Sequence, residues 1–444
     1  MDESDYGNPS DQMAVNDRQL RQLIRIKSSL SYRLGRLLVD SARSVWRAPL
    51  LPLTIPHLFW TYANERIGRK ETVVQDMVND DLNQRNCALL FPTNGVGMGH
   101  FARMYSLALA MRRFDPTLEV VFFTTNYVLH PLYSEGITAY HLPGRKKFEN
   151  MSPRVWNSQC EEMLANVLSL HKPSYFVFDG AYPYRGMLNA IKNRRNVTKV
   201  WVRRISRAGK GDVPIDSYST FDRIVVPGDI IEPNMEELAK WPVDEISLTN
   251  PILSVSRSDL LPRGDLRSRL GIPMDALTCL VSLGAGEIND ISNMREFVVR
   301  GLVERGVYVI IADSMLRPMN ARFDQEKVRV IQKFPIMRNR NCLDFSVIAG
   351  GYNSVNECIS LRLPSVIIPN FDTSRDDQPG RANQAGKIGG SIIVEKPYKD
   401  VIELALDRVC DTNIRAGMAE NLVANIPDDG ADSLAESILS GPSD

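Results

Sequence analysis

The sequence predicts an α/β protein of two doubly wound, parallel-sheet domains behind a basic amphipathic helical extension. Three observations carry this. Short apolar runs alternate with helix-like stretches from Cys87 to Pro227 and again from Thr278 to Cys410, the signature of parallel strands joined by crossover helices. A chain of 444 residues exceeds one ordinary core, because domains usually hold ~100 to 200 residues. Residues 18–85 follow a different pattern, cationic and apolar by turns at helical spacing. The chain therefore divides into a polar tail (1–17), the extension (18–85), a first domain (86–250) and a second (251–444).

Composition narrows the function. Lys and Arg (53) balance Asp and Glu (53), so no global charge points to nucleic acid. The six cysteines, Cys87, Cys160, Cys279, Cys342, Cys358 and Cys410, stand singly with no CxxC spacing, as expected of reduced core residues in a cytosolic protein. The first residues are acidic and polar, so no secretory signal is expected there.

The extension suggests a surface. Leu20, Leu23, Ile24, Leu30, Leu34, Leu37, Leu38 and Trp46 recur against eight cations between Arg18 and Arg47, with only Asp40 opposing them. Ala48 to Ala63 follows without formal charge and with Phe59, Trp60 and Tyr62. Pro49, Pro52 and Pro56 interrupt that stretch, which is too short to span a bilayer as a helix. Residues 18–70 are expected to lie against an anionic membrane on its cytoplasmic face. The competing occupant is the protein's own body, or a second copy in a homo-oligomer.

In the first domain, strands are expected at Cys87–Phe91, Glu119–Thr124, Ile137–Leu142, Tyr175–Asp179, Lys199–Val202 and Arg223–Pro227, with helices over Phe101–Arg113, Ser158–His171 and Tyr184–Arg194. Gly95, Gly97 and Gly99 do not make a dinucleotide fingerprint, because His100 stands where its third glycine belongs and the next strand ends in Thr125 and Asn126, without a ribose-binding acid. What remains is a glycine loop ending in a histidine at a helix start, which favours the neutral imidazole that a general base requires. Asp179 ends a strand, where open α/β sheets place their ligands. His57, His130, His141 and His171 lack sequence partners at metal spacing and are assigned structural roles.

In the second domain, strands are expected at Thr278–Leu283, Val307–Ala312, Val328–Ile331, Phe345–Ala349 and Ser365–Pro369, with helices over Asn293–Arg305, Val355–Leu361, Asp400–Cys410 and Ile414–Ala424. The central segment is DFSVIAGGYNSVNECISLRLPSVIIPNFDTSRDDQPGRAN, Asp344 to Asn383. Its Gly350-Gly351 turn opens a helix, whose free N–H groups and dipole favour a phosphate. Glu357 lies one turn beyond Asn353 and Ser354, near enough to accept bonds from a ribose. Asp377 and Gln378 follow the next strand, where they could meet a polyol. Gly284 and Gly286 form a second phosphate-sized turn.

These motifs resemble GT-B glycosyltransferases, two Rossmann-like domains facing a cleft. Gly-Gly-Tyr-Asn-Ser-Val-Asn-Glu, Leu-Pro-Ser-Val-Ile-Ile-Pro and Asp-Asp-Gln with Arg-Ala-Asn-Gln-Ala are similar to the donor half of the lipid II-forming N-acetylglucosaminyltransferase and the UDP-glycosyltransferases. Gly-Met-Gly-His-Phe-Ala-Arg resembles their acceptor-side loop, here Gly97, Met98, Gly99, His100 and Arg103. The resemblance covers roughly residues 86 to 430. It implies His100 as base with Asp179 orienting it. Glu357 would hold the ribose, Gly351, Asn353 and Ser354 the diphosphate, and Asp377 and Gln378 the donor sugar, with Asn383 beyond them; Phe334 would lie against the base.

The implied reaction is inverting transfer of a hexosyl or N-acetylhexosaminyl group from a nucleotide diphosphate sugar, a UDP-sugar by resemblance, to a lipid-linked or membrane-surface acceptor. No cofactor is expected beyond that co-substrate, and no metal, since no Asp-x-Asp motif sits beside a sheet edge. Two alternatives stay open: a nucleotide-sugar hydrolase of the pseudaminic acid type, whose loop has a similar Gly-x-Gly-His-x-x-Arg, and a non-catalytic nucleotide-sugar-binding subunit of a membrane transferase.

Overall fold

The structure, a computed structural model, describes residues 29–42, 48–66, 84–93, 97–205, 213–243, 246–284, 292–316, 325–371, 376–423 and 429–440. The first domain contains β1 (Arg85–Pro92), β2 (Glu119–Thr124), β3 (Thr138–His141), β4 (Pro173–Asp179), β5 (Thr198–Val202), β6 (Arg223–Pro227) and β7 (Ile246–Thr249) in the order β3-β2-β1-β4-β5-β6-β7. The second contains β8 (Thr278–Ser282), β9 (Tyr308–Ala312), β10 (Val328–Ile331), β11 (Phe345–Ile348), β12 (Ser365–Ile367) and β13 (Ser391–Ile393) in the order β10-β9-β8-β11-β12-β13. Every pairing is parallel. Both sheets bury both faces: in β1, Cys87, Leu89 and Phe91 enter one core while Ala88 and Leu90 enter the other.

Strand order locates the switch points of both sheets. Each sheet runs outward in both directions from a central pair, β1 with β4 and β8 with β11. Neighbouring crossovers there leave in opposite directions, opening a crevice at the carboxyl ends of the strands. His100 follows β1, Asp179 ends β4, Gly284 follows β8 and the Gly350-Gly351 turn follows β11.

Several elements lie outside those the sequence predicts. They include β7, β13, helices at Arg263–Leu270 and Gln378–Ile388, short helices at His130–Ser134, Ile215–Tyr218 and Met235–Leu238, and a final helix at Gly430–Leu439. That last helix returns to the first domain, where Ala431, Leu434, Ala435 and Ile438 share a core with Met104, Leu107 and Met111 of the helix Gly99–Phe114. The second domain's core therefore ends before residue 430.

In the extension, helices span Leu30–Ala42 and Leu51–Arg66. The proline-rich stretch is helical with Pro56 inside it. At ~1.5 Å per residue, its 16 residues reach ~24 Å, short of a hydrocarbon core of ~30 Å. Among the described residues no helix is long and apolar enough to cross a membrane. Leu38, Val39, Leu53, Phe59 and Trp60 are exposed on these helices, as is Leu50 in the short turn between them. Of the basic face, residues 18–28 and 43–47 lie outside the described residues.

Candidate functional site at the domain junction

The carboxyl ends of β1 and β4 are level, with Pro92 opposite Asp179. The helix Gly99–Phe114 starts just beyond, and its second residue is His100. Asp179 Oδ1 lies 2.8 Å from His100 Nδ1. Arg103, one turn along, grips the same carboxylate twice, Nε to Oδ2 at 2.9 Å and Nη2 to Oδ1 at 2.9 Å. Its Nη2 also lies 2.9 Å from His100 Nδ1. That nitrogen cannot both donate to Asp179 and accept from Arg103. Two lone pairs facing each other at 2.8 Å would repel, so Nδ1 carries the proton and donates to Asp179. Nε2 is then the basic nitrogen, and among the described residues it has no partner.

Burial sharpens the division of labour. Asp179 and Arg103 are each 1 % exposed, whereas a quarter of the His100 side chain reaches solvent. Burial alone would raise the Asp179 carboxyl, but the charges of Arg103 and His100 and their hydrogen bonds outweigh it and hold it below the ordinary carboxylate range. The carboxylate is thus kept ionised beside the imidazole. Arg103, placed by the sequence on the acceptor-side loop, is instead enclosed, and its guanidinium serves Asp179. Gly97, Met98 and Gly99 precede the helix as expected, with Met98 Sδ accepting from Asn126.

In the second domain, Gly284 follows β8 with φ +94°, a conformation that favours glycine. Gly286 lies outside the described residues. Gly350 passes so close to the next helix that a Cβ would meet the Gln378 carbonyl oxygen at 2.8 Å. Gly351 is the N-cap of the helix Tyr352–Ser360, with no side-chain cap. Asn353 Oδ1 there is buried without a hydrogen-bond partner, an acceptor at the same helix start as the uncapped N–H groups. Ser354 is half-buried beside it.

Other expected donor residues carry structural bonds. Glu357 is buried, and its Oε1 accepts from the backbone N–H and the hydroxyl of Ser254, so at most Oε2 remains for a ribose. Burial raises its carboxyl to about 7 despite those bonds. Asp377 caps the helix Gln378–Ile388 by accepting from Gly380 N–H at 3.1 Å, and Gln378 Oε1 accepts from Asn370 N–H at 3.0 Å. Asn383 is exposed on that helix. Phe334 packs across the junction against Phe101 and Tyr105, with ring centroids 5.6 and 5.3 Å apart. Its ring is committed to interdomain packing.

An interdomain network escaped the sequence reading. Arg204, just after β5, bonds Asp376 at 2.8 Å, and Arg381 bonds Asp376 at 3.0 Å and Asp229 at 2.8 Å. Arg103 and Arg204 lie over the ring of Tyr352, 5.2 and 4.3 Å from its centroid. Tyr352 in turn donates to the Gly228 carbonyl at 2.7 Å. The arginine that holds Asp179 in the first domain and the helix start of the second therefore meet at one buried aromatic ring. The only sequence signal was a cation, Arg204, at a strand end.

No protein-family model matches the sequence, and neither does any curated protein. Solved structures do match its shape. MurG of Acinetobacter baumannii is 14 % identical with a TM-score of 0.50, covering 80 % of this chain and 99 % of its own. CalG4, the calicheamicin glycosyltransferase, is 15 % identical at 0.53, covering 81 % and 98 %. Os79 from O. sativa, in complex with U2F and trichothecene, is 14 % identical at 0.54, covering 78 % and 98 %. What the chain shares with these glycosyltransferases is their architecture, and its fold is GT-B.

Proposed function

We propose that this chain is an inverting, metal-independent glycosyltransferase. It moves a hexosyl or N-acetylhexosaminyl group from a nucleotide diphosphate sugar, a UDP-sugar by the resemblance of its motifs, to an acceptor hydroxyl. The acceptor is lipid-linked or otherwise membrane-associated, and the enzyme works peripherally on the cytoplasmic face of a membrane. The observation that carries the reading is the His100–Asp179 pair at one switch point, one shared ring away from an uncapped helix start at the other.

In this mechanism Asp179 fixes the Nδ1–H tautomer, and Nε2 takes the proton from the acceptor hydroxyl. The acceptor oxygen attacks the anomeric carbon from the face opposite the diphosphate, the bond to the diphosphate oxygen breaks, and configuration inverts. Asp179 stabilises the imidazolium that forms. Backbone N–H groups at Tyr352 to Ser354 stabilise the leaving charge, the contribution that preorganised donors make best in a water-poor site.

His100→Ala is expected to lower turnover by ~10²-fold or more, the size of a lost general base, while nucleotide binding persists. Undiminished turnover would move the base elsewhere. Sugar released without acceptor would favour the hydrolase, and donor binding without turnover in any membrane extract the non-catalytic subunit.

A further inference from the structure

The opposite end of the first sheet carries a second cluster of reactive side chains. Cys87 in β1 pairs in register with Glu119, the first residue of β2, and His171 is the last residue of the helix Pro153–His171. Their ligand-type atoms all lie within 4.8 Å of one another. No other group of three such residues is found among the described residues. No sequence motif marks it, because 52 positions separate Glu119 from His171 and only the parallel sheet and its crossover helix bring them together. Cys87 to Pro92 spans five strand steps of ~3.3 Å, so the cluster lies roughly 16 Å from the end that holds His100.

From this geometry we infer a zinc-type metal site formed by Cys87 Sγ, His171 Nδ1 and the Glu119 carboxylate. Donor chemistry selects the metal: a thiol with an imidazole and one carboxylate suits Zn²⁺, whereas Ca²⁺ and Mg²⁺ take oxygen ligands. The outer partners are in place. His171 Nδ1 already faces Glu119 Oε1 at 2.7 Å, while its Nε2 lies 2.8 Å from the Tyr140 hydroxyl. An oxygen on the far ring nitrogen is the usual device for orienting a ligating histidine.

Glu119 Oε2 is buried without a hydrogen bond, although Arg85 Nη2 forms an ion pair with it at 3.1 Å. Either that oxygen or a water completes four-coordination. Tetrahedral zinc holds such donor atoms roughly 3.3 to 3.7 Å apart, so the side chains need to move by about an ångström. On binding, the S–H bond breaks, an S–Zn bond forms and the proton leaves to water, with no change of oxidation state. One thiolate and one carboxylate neutralise the dication, which suits a site where Cys87 is fully buried and His171 only 7 % exposed. The ion pair of Arg85 with Glu119 and the hydrogen bonds from Glu119 through His171 to Tyr140 need no cysteine; the metal explains why a thiol faces them.

Co²⁺ added to the full-length protein is the test, read by the sulfur-to-cobalt charge-transfer band and by metal content after gel filtration. One equivalent with that band is expected, lost in Cys87→Ala and in His171→Gln but kept in Cys160→Ser, a buried thiol of the same domain outside the cluster. Zn²⁺ should raise the thermal midpoint of the wild type by several degrees and leave that of Cys87→Ala unmoved. If a variant fails to fold, the wild-type titration still decides. A wild type without the charge-transfer band, or a band that survives in Cys87→Ala, overturns the site and leaves the cluster as a hydrogen-bonded chain.

Discussion

Asp179 is a buried carboxylate shared between a histidine that meets solvent and an arginine that does not. Removing Arg103 would leave that buried charge with the His100 hydrogen bond alone, and breaking a buried ion pair typically costs ~3 to 5 kcal/mol. Arg103→Ala is therefore expected to lose stability on that scale in denaturant titrations, and a loss under about 1 kcal/mol would contradict the enclosed pairing. Glu357 makes a second prediction. Its folded carboxyl sits at about 7, above the ordinary 4.5, so the folded state holds its proton more tightly than the unfolded. That contribution is complete below pH 4.5 and is lost as pH rises through 7. A gap of that size corresponds to roughly 3 kcal/mol. The neutral analogue Glu357→Gln should thus gain on the wild type between pH 5 and pH 8, to about that extent; parallel stability profiles would show that Glu357 is not the buried acid described here. Both residues stand out in the sequence as candidates, Asp179 at a strand end and Glu357 one turn beyond a glycine turn. Their bonding does not, since Ser254 and Arg103 reach them only through tertiary packing.

At the scale of elements, alternation of apolar runs and helix-like stretches identified eleven of the strands, because parallel strands buried on both faces read as unbroken apolar segments. The misses have local causes. β13 is three residues long, and Pro379, Gly380 and Gly386 made the helix Gln378–Ile388 look like loop. Proline is tolerated there because it falls in the first turn, where its missing N–H has no intrahelical partner. The extension is the element whose function most needs a test. Its exposed Leu53, Phe59 and Trp60 accompany the cations of residues 18–47, a combination suited to an anionic bilayer. Co-sedimentation with phosphatidylserine vesicles should follow the extension and weaken with salt; equal binding by a chain lacking residues 1–75 would assign that stretch to the protein's own body or a second copy.

For the whole molecule, the sequence disclosed two domains and their order but not how they are joined. The junction depends on contacts between distant residues, Arg204 with Asp376, Arg381 with Asp229, Phe334 with Tyr105, and on a final helix that crosses back to the first domain. Such pairs leave no periodicity to read. They hold the His100–Asp179 pair against the helix start proposed to bind the diphosphate. Calorimetric titration of nucleoside diphosphates and their sugar conjugates into the intact chain, repeated with Glu357→Ala, tests that assignment most directly. One base is expected to bind selectively as its diphosphate or diphosphate sugar, and the substitution is expected to weaken it. Absence of binding by every nucleotide would contradict the donor site and the transferase built on it.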